Sequence, residues 1–208
     1  MNWHAHIPAA LLLGFLLTSC GIPQRSSQNA PQMETITFTR IGPVKLKKED
    51  SDFVFEDWTI THLLERQPID LDIHLKKLDE KSIAQVNRVL ADLEKIRELG
   101  QLAMIRDFEE GEVVKDYIEE WNEDIFLQVF EEDEFQDFIK ETDSSENIEK
   151  RLLSLIRLVR IGIYLNGEKY PLTLDFAFGH DDDHGFRQDM VVLWLNEDYE
   201  LVDIGVEG

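Results

Sequence analysis

Four short apolar runs, separated by residues typical of turns, make up residues 157–208, which read RLVRIGIYLNGEKYPLTLDFAFGHDDDHGFRQDMVVLWLNEDYELVDIGVEG. In the first run apolar residues recur at every second position from Val159 to Leu165, which is the period of a half-buried strand. Asn166-Gly167 follows and predicts a type I′ turn, after which the chain returns through residues 168–178. The third run, residues 191–195, has no polar face, as in a central strand covered on both sides. With a last run at 201–206, we expect four antiparallel strands in sequence order.

Further strands are expected near the start of the domain. Ile36 and Phe38 alternate with threonines, Gly42-Pro43 is a turn signal, and residues 44–46 can pair back. Residues 69–75 alternate apolar and polar side chains more clearly. We expect these strands to extend or flank the C-terminal sheet.

Helical periodicity fills the middle of the chain. Asp79 or Ser82 can cap a first helix, and Gly100 and Gly111 are candidate interruptions. Residues 125–138 read as one or two short helices, and residues 143–146 are expected to open a last one. The apolar residues at core-facing spacing are Ile83, Val86, Leu90 and Leu93, then Val114, Tyr117, Ile118 and Trp121, then Ile148, Leu152, Leu155 and Ile156. The sequence therefore predicts an α+β fold, a mostly antiparallel sheet with the helical middle packed on one face.

The N-terminus has the profile of a signal peptide. Residues 1–19 contain no Asp, Glu, Lys or Arg, and the apolar core from Ile7 to Leu17 is short for a membrane span. It ends in Leu17-Thr18-Ser19-Cys20, which resembles the lipobox of bacterial lipoproteins, in which the cysteine is lipidated and becomes the mature N-terminus. A secretory signal followed by an incidental cysteine, and an uncleaved N-terminal anchor, are the alternatives.

This N-terminus predicts the organisation of the whole chain. Residues 1–19 are the signal peptide, residues 20–33 the lipidated cysteine and a flexible Ser-, Gln-, Asn- and Pro-rich tether, and residues 34–208 a single domain. Because Cys20 is the one cysteine, the domain cannot form an internal disulfide. We expect the protein to be anchored by lipid in the cell membrane or outer membrane, facing the periplasm or exterior.

Several segments also resemble a known family. They are residues 158–164, 191–198 and 204–207, together with Phe108-Glu109-Glu110-Gly111, Tyr117-Ile118 and Trp121. This pattern is similar to the bacterial domain-of-unknown-function family numbered 2004 and covers about residues 34–208. The resemblance implies an α+β domain and no catalytic residues.

The charge is strongly acidic, with 43 Asp and Glu against 21 Lys and Arg and a net charge of −22. Residues 107–134 contain 13 acidic residues and one basic residue, Lys115. Nucleic acid and anionic lipid are therefore poor partners, since both require positive surface. The acidic segment is either a solvated helical face or a surface that recruits a basic protein or cations. The candidate partner-binding residues are Glu119, Glu120, Trp121, Glu123 and Asp124, with Tyr117, Phe126 and Phe130 as interleaved aromatic anchors.

The loop between the second and third runs contains candidate metal ligands. His180, Asp182 and His184 are of the right chemical type, but their spacing matches no established metal motif, and a solvated hairpin loop is the favoured interpretation. No cofactor is expected.

Catalytic motifs are missing from the sequence. It contains no Gly-x-Ser-x-Gly, no glycine-rich phosphate loop and no His-Glu-x-x-His. The sequence thus favours a non-catalytic interaction module. A lipoprotein that binds a small ligand or a cation, and a cryptic carboxylate-based hydrolase, are the alternatives.

Overall fold

The computed structural model describes residues 32–64, 67–121, 139–140, 142–178 and 189–208. Within these ranges, four strands precede four helices, and four further strands follow them. The strands and helices are β1 (Met33–Phe38), β2 (Gly42–Glu49), β3 (Asp52–Leu64), β4 (Gln67–Leu75), α1 (Glu80–Ala91), α2 (Leu93–Glu110), α3 (Val113–Glu120), α4 (Ile148–Leu153), β5 (Ile156–Leu165), β6 (Leu172–Phe178), β7 (Met190–Leu195) and β8 (Leu201–Glu207).

The eight strands form one open sheet in sequence order, from β1 at one edge to β8 at the other. Neighbouring strands are antiparallel except β4 and β5, which are parallel and pair Leu71 with Ile161 and Ile73 with Ile163. Parallel neighbours need a long crossover connection, and the helical middle of the chain provides it. The predicted α+β class and mostly antiparallel sheet are confirmed.

The predicted C-terminal meander is confirmed, but the prediction of a type I′ turn between its first two strands is wrong. β5 ends at Leu165 and β6 begins only at Leu172, so a six-residue loop replaces the two-residue type I′ turn. Gly167 has a φ of +100°, whereas Asn166 does not have the positive φ that a type I′ turn needs. The Asn166 side chain instead accepts a hydrogen bond from the Glu168 N–H at 3.3 Å. Pro171 precedes β6 and has no N–H to donate, which delays the ladder.

The N-terminal strands extend the sheet as expected, and one of them, β3, was not predicted from the sequence. β1, β2 and β4 match the predicted runs. β3 pairs with both β2 and β4, but its register shifts between Asp57 and Ile60 and again between Ile60 and Leu64. The first irregularity sets three residues of β3 against two of β4, and the second sets four against two, so the regular pairing is interrupted twice. The sequence of this strand shows no simple alternation of apolar and polar residues.

The first helices begin as predicted but break elsewhere. The Asp79 carboxylate caps α1 by accepting from the Ser82 N–H at 2.9 Å, and Gly111 ends α2. Gly100, predicted as an interruption, lies inside α2, and the break falls at Asp92. The Asp92 carboxylate accepts a hydrogen bond from the Tyr199 hydroxyl at 3.1 Å, which ties the α1–α2 junction to the turn before β8. No helix in the described ranges combines the length and apolarity needed to cross a membrane.

The last helix begins later than the sequence predicts. Asp143 accepts from the N–H and hydroxyl of Ser145 in a preceding turn. The N-cap of α4 is Asn147, whose side chain accepts from the Lys150 N–H at 2.9 Å. Both residues are good local acceptors, and the sequence alone does not rank them. Ile148, predicted to face the core, is 44% exposed, and Ile156 begins β5.

The two faces of the central strands differ in chemistry. Residues paired across strands point to the same side, so the register assigns each side chain to a face. The residues of the apolar face include Leu71, Ile73, Ile161, Ile163, Leu174 and Phe176, all fully buried. The polar face includes Asp70, Asp72, Arg160, Thr173 and Asp175.

Candidate functional site

A continuous acidic surface covers the end of α2 and the outer side of α3. We name it the acidic face, and it consists of the exposed residues Glu109, Glu110, Glu112, Asp116, Glu119 and Glu120. Two cations lie against it: Arg106 is 3.1 Å from Glu110, and Lys115 is 3.7 Å from Glu119. Both pairs are more than half exposed, and exposed pairs add at most about 1 kcal/mol each. The acidic face therefore retains an excess of negative charge.

The opposite side of α3 positions the acidic face against the core. Val114, Tyr117 and Ile118 recur at helical spacing and are buried. The Tyr117 ring stacks on Phe178 with centroids 5.4 Å apart, and its hydroxyl donates to the Asp189 carbonyl at 2.9 Å. Burial raises the pKa of Tyr117 above its ordinary value. The helical spacing that predicted a core-facing Tyr117 is thus confirmed, and its burial contradicts the expectation that it serves as an aromatic anchor for a partner.

Trp121 lies at the end of α3, next to Glu119 and Glu120. Its backbone N–H donates to the Tyr117 carbonyl at 3.3 Å and caps the helix. The half-buried indole tilts against Phe178, with centroids 5.6 Å apart, and against Tyr117. Its packing contacts account for part of its surface, and its role as a partner contact stays a prediction.

The remaining predicted site residues lie outside the described ranges. They are Cys20, Glu123 and Asp124, the aromatic residues Phe126 and Phe130, and the loop residues His180, Asp182 and His184. Among the residues that the structure does describe, no three or more His, Cys, Asp or Glu side chains converge as a metal site would require.

A groove of about 490 Å³ lies between α2 and α4, and we name it the α2–α4 groove. Its lining residues are Gln101, Met104, Ile105, Phe108 and Glu109 from α2, Glu146, Lys150, Leu153 and Ser154 from α4 and its flanks, and Ile156 from β5. Lys150 Nζ lies 3.8 Å from Glu146 Oε2 on the rim.

The groove was not predicted from the sequence, although α2 carries exposed apolar residues in addition to its buried side. Leu93, Ile96, Gly100 and Met104 already give the helix one buried side. Leu99, Leu102 and Ile105 form a second apolar set that is 37–62% exposed, and of these three Ile105 lines the groove. A second apolar stripe on a helix indicates a further contact surface.

A charged cluster lies on the polar face, across β4, β5 and β6. Arg160 Nε donates to Asp175 Oδ2, and Arg160 Nη1 is 3.8 Å from Asp72 Oδ2. Asp175 is 1% exposed, and its Oδ1 has no hydrogen-bond partner in the described part of the chain. Burial raises the pKa of Asp175 to about 6, although Arg160 opposes the rise.

An aromatic ring contributes to the enclosure of this cluster. The Tyr164 ring lies over Gly162, where an added Cβ would approach both the ring and Thr173 Oγ1, the latter at 2.5 Å. Burial raises the pKa of Tyr164 as well. Because Asp175 is closed to solvent, the direct effect of the cluster is to join three strands. Its sequence signal is a pair of charged residues, Arg160 and Asp175, inside apolar runs.

No protein-family model, curated protein or solved structure matches this chain, so its resemblance to the family numbered 2004 stays a prediction.

Proposed function

We propose that this protein is a lipid-anchored, non-catalytic module of the cell envelope that binds a basic protein through its acidic face. The observation that carries the proposal is the set of six exposed carboxylates on and between α2 and α3, which in the described part of the chain pair with two cations, Arg106 and Lys115.

Electrostatics gives this arrangement a functional consequence. Exposed charge of one sign attracts an oppositely charged partner over several ångströms and raises the association rate by orders of magnitude. The attraction is screened beyond about 8 Å at physiological ionic strength. The acidic face therefore favours fast, salt-dependent association with a partner rich in Lys and Arg.

The proposed anchor determines where such a partner would be met. Cys20 would carry the acyl chains, and two or more chains give a stable membrane anchor. About a dozen tether residues would let the domain move roughly 20 Å from the membrane surface. The protein would then present its acidic face in the periplasm or at the cell exterior.

We also infer that the helical middle packs on the apolar face of the sheet. Gly100 of α2 lies against Leu174 and Phe176, and Tyr117 of α3 stacks on Phe178. These three β6 residues alternate along the strand and share one face. Such packing would leave the carboxylates of α3 directed outward.

The proposed function is tested by capturing the protein's partner from its own envelope fraction and measuring association rates. Replacing Glu119 and Glu120 by Gln, together with Glu123→Gln and Asp124→Asn, should slow association several-fold without changing thermal stability. The rate for the unmodified protein should also fall steeply between 0.05 and 0.5 M salt, because screening removes the steering.

The matched control neutralises Glu197 and Asp198 in the turn after β7. This turn lies at the far end of β7 from Asp189, which contacts Tyr117, and six strand residues separate the two ends by about 20 Å. The control should associate nearly as fast as the unmodified protein. An association rate indifferent to both salt and the α3 substitutions would contradict the proposal.

A further inference from the structure

We propose that the α2–α4 groove is a docking site for an amphipathic basic helix of the partner, whose apolar side chains enter the groove while its Lys or Arg side chains meet the acidic rim. This inference rests on the proposed function for the charge of the partner, and it adds a contact site and a binding mode.

The shape of the groove fits a short helical segment. The α2 lining runs from Gln101 to Glu109, which is about 12 Å along a helix, or a little over two turns. The lining positions on α2 follow a spacing of three or four residues and therefore form one stripe. On the opposite wall, Lys150 and Leu153 lie three residues apart on α4, and Glu146 precedes the N-cap of that helix. A groove of this length can receive side chains at positions i, i+3, i+4 and i+7 of a bound helix.

The floor of the groove is apolar, and its wall carries an exposed apolar side chain. Met104 and Ile156 are buried at 3% and 6% exposure, while Ile105 remains 44% exposed on the wall. The volume of about 490 Å³ is roughly three times that of the ~150 Å³ cavity that accepts a benzene ring. The groove can therefore receive more than one aliphatic side chain.

The charge of the rim selects the kind of helix. Glu109 belongs to both the groove and the acidic face, and Glu146 stands on the other wall. Lys150 is the single cationic lining residue, and its exposed pairing with Glu146 at 3.8 Å offsets one carboxylate. A net negative rim that continues into the other five carboxylates of the acidic face favours Lys and Arg on the flanks of the bound helix.

An extended peptide fits the groove less well than a helix does. Strand addition requires an unpaired sheet edge, and the one strand residue in the lining is Ile156. It belongs to β5, which is already paired with β4 and β6. Side-chain insertion from a helix needs no backbone edge.

The test uses the full-length protein and an 18-residue acetylated peptide with Leu on one helical face and Lys on the other. Two matched peptides replace all Leu by Ser, or all Lys by Gln. Affinity is measured at 0.15 and 0.5 M salt for the unmodified protein and for Ile105→Ser. Gln101→Trp, which fills the groove from an exposed position, is a second variant. Leu102→Ser is the control, because Leu102 is 62% exposed on the same helix but outside the groove lining.

The expected result is that the Leu-Lys peptide binds at least ten-fold more weakly to Ile105→Ser and Gln101→Trp, and equally to Leu102→Ser. If the Ser-Lys peptide binds as tightly as the Leu-Lys peptide and salt weakens its binding, the groove proposal is overturned and the acidic face is retained. If the Leu-Gln peptide binds independently of salt and this binding is lost in Ile105→Ser, the groove is retained and the basic character proposed for the partner helix is overturned. Failure of all three peptides to bind would overturn the groove proposal.

Discussion

Asp175 shows how burial and charge compete at a single residue. Its carboxylate is enclosed in the sheet, where desolvation penalises the charged form, and Arg160 compensates only in part. The pKa of Asp175 therefore rises to about 6, above the ordinary aspartate value of 3.8. The folded protein binds this proton more tightly than the unfolded chain does, so ionisation of Asp175 lowers stability as the pH rises from about 4 to about 6.

Asp175→Asn should remove this pH dependence, because the amide keeps an acceptor for Arg160 and does not ionise. Relative to Asp175→Asn, the unmodified protein should lose about 2 kcal/mol of unfolding free energy between pH 4 and pH 6.5, at about 1.4 kcal/mol per pKa unit. Chemical denaturation across this range measures the difference. The exposed Asp198→Asn variant is the control and should show no comparable change. A flat difference curve for Asp175→Asn would show that Asp175 is ionised throughout.

At the scale of elements, Gly100 determines how closely α2 approaches the sheet. A Cβ at this position would lie 2.8 Å from Phe176 Cζ and 2.9 Å from Leu174 Cδ1, both closer than van der Waals contact. Glycine costs a helix interior about 1 kcal/mol relative to alanine. The close approach to β6 accounts for its presence, and this is why a glycine that reads as a helix break lies inside a helix.

Gly100→Val should therefore lower the unfolding free energy by about 2 kcal/mol or more, because overpacking forces α2 away from β6. The matched control is Gln101→Val on the exposed side of the same turn, which should cost about 0.5 kcal/mol through helix propensity alone. Urea denaturation of both variants gives the comparison. Equal small losses would mean that α2 can shift freely over β6.

At the scale of the whole molecule, a single parallel pairing organises the chain. The first four strands and the last four each form an antiparallel series, and β4 and β5 join them. The connection between these two strands contains the helices, including the acidic face and the α2–α4 groove. The proposed binding surfaces thus belong to one continuous insertion between adjacent strands.

The proposed membrane anchor is also a property of the whole protein. Cys20→Ala should prevent lipidation, so the variant should keep the precursor mass and incorporate no labelled palmitate. Ser19→Ala, which keeps a small residue before the cysteine, should be processed normally. Mass spectrometry and palmitate labelling of membrane fractions measure both outcomes. Mature mass and membrane retention in Cys20→Ala would contradict the lipoprotein assignment.

The sequence by itself determined the features that depend on local period and local chemistry. Alternation along residues 157–208 predicted the meander, and Asp79 was one of two residues predicted to cap α1. Both predictions rest on effects that act within a few residues. β3 was not predicted because its sequence has no simple alternation of apolar and polar residues, and its pairing with β4 is interrupted by two register shifts. The acidic charge of α3 was evident, but its geometry relative to Tyr117 was not.

Only the tertiary structure decided the features that depend on contacts distant in sequence. Gly100 is helical because α2 meets β6, about 75 residues away, and Asp92 breaks the helices where Tyr199 reaches it. The core-facing spacing of Tyr117 was evident in the sequence, but its stacking on Phe178 was not. The parallel pairing of β4 with β5, the burial of Asp175 and the α2–α4 groove arise in the same way, since no local pattern states which segments will be neighbours.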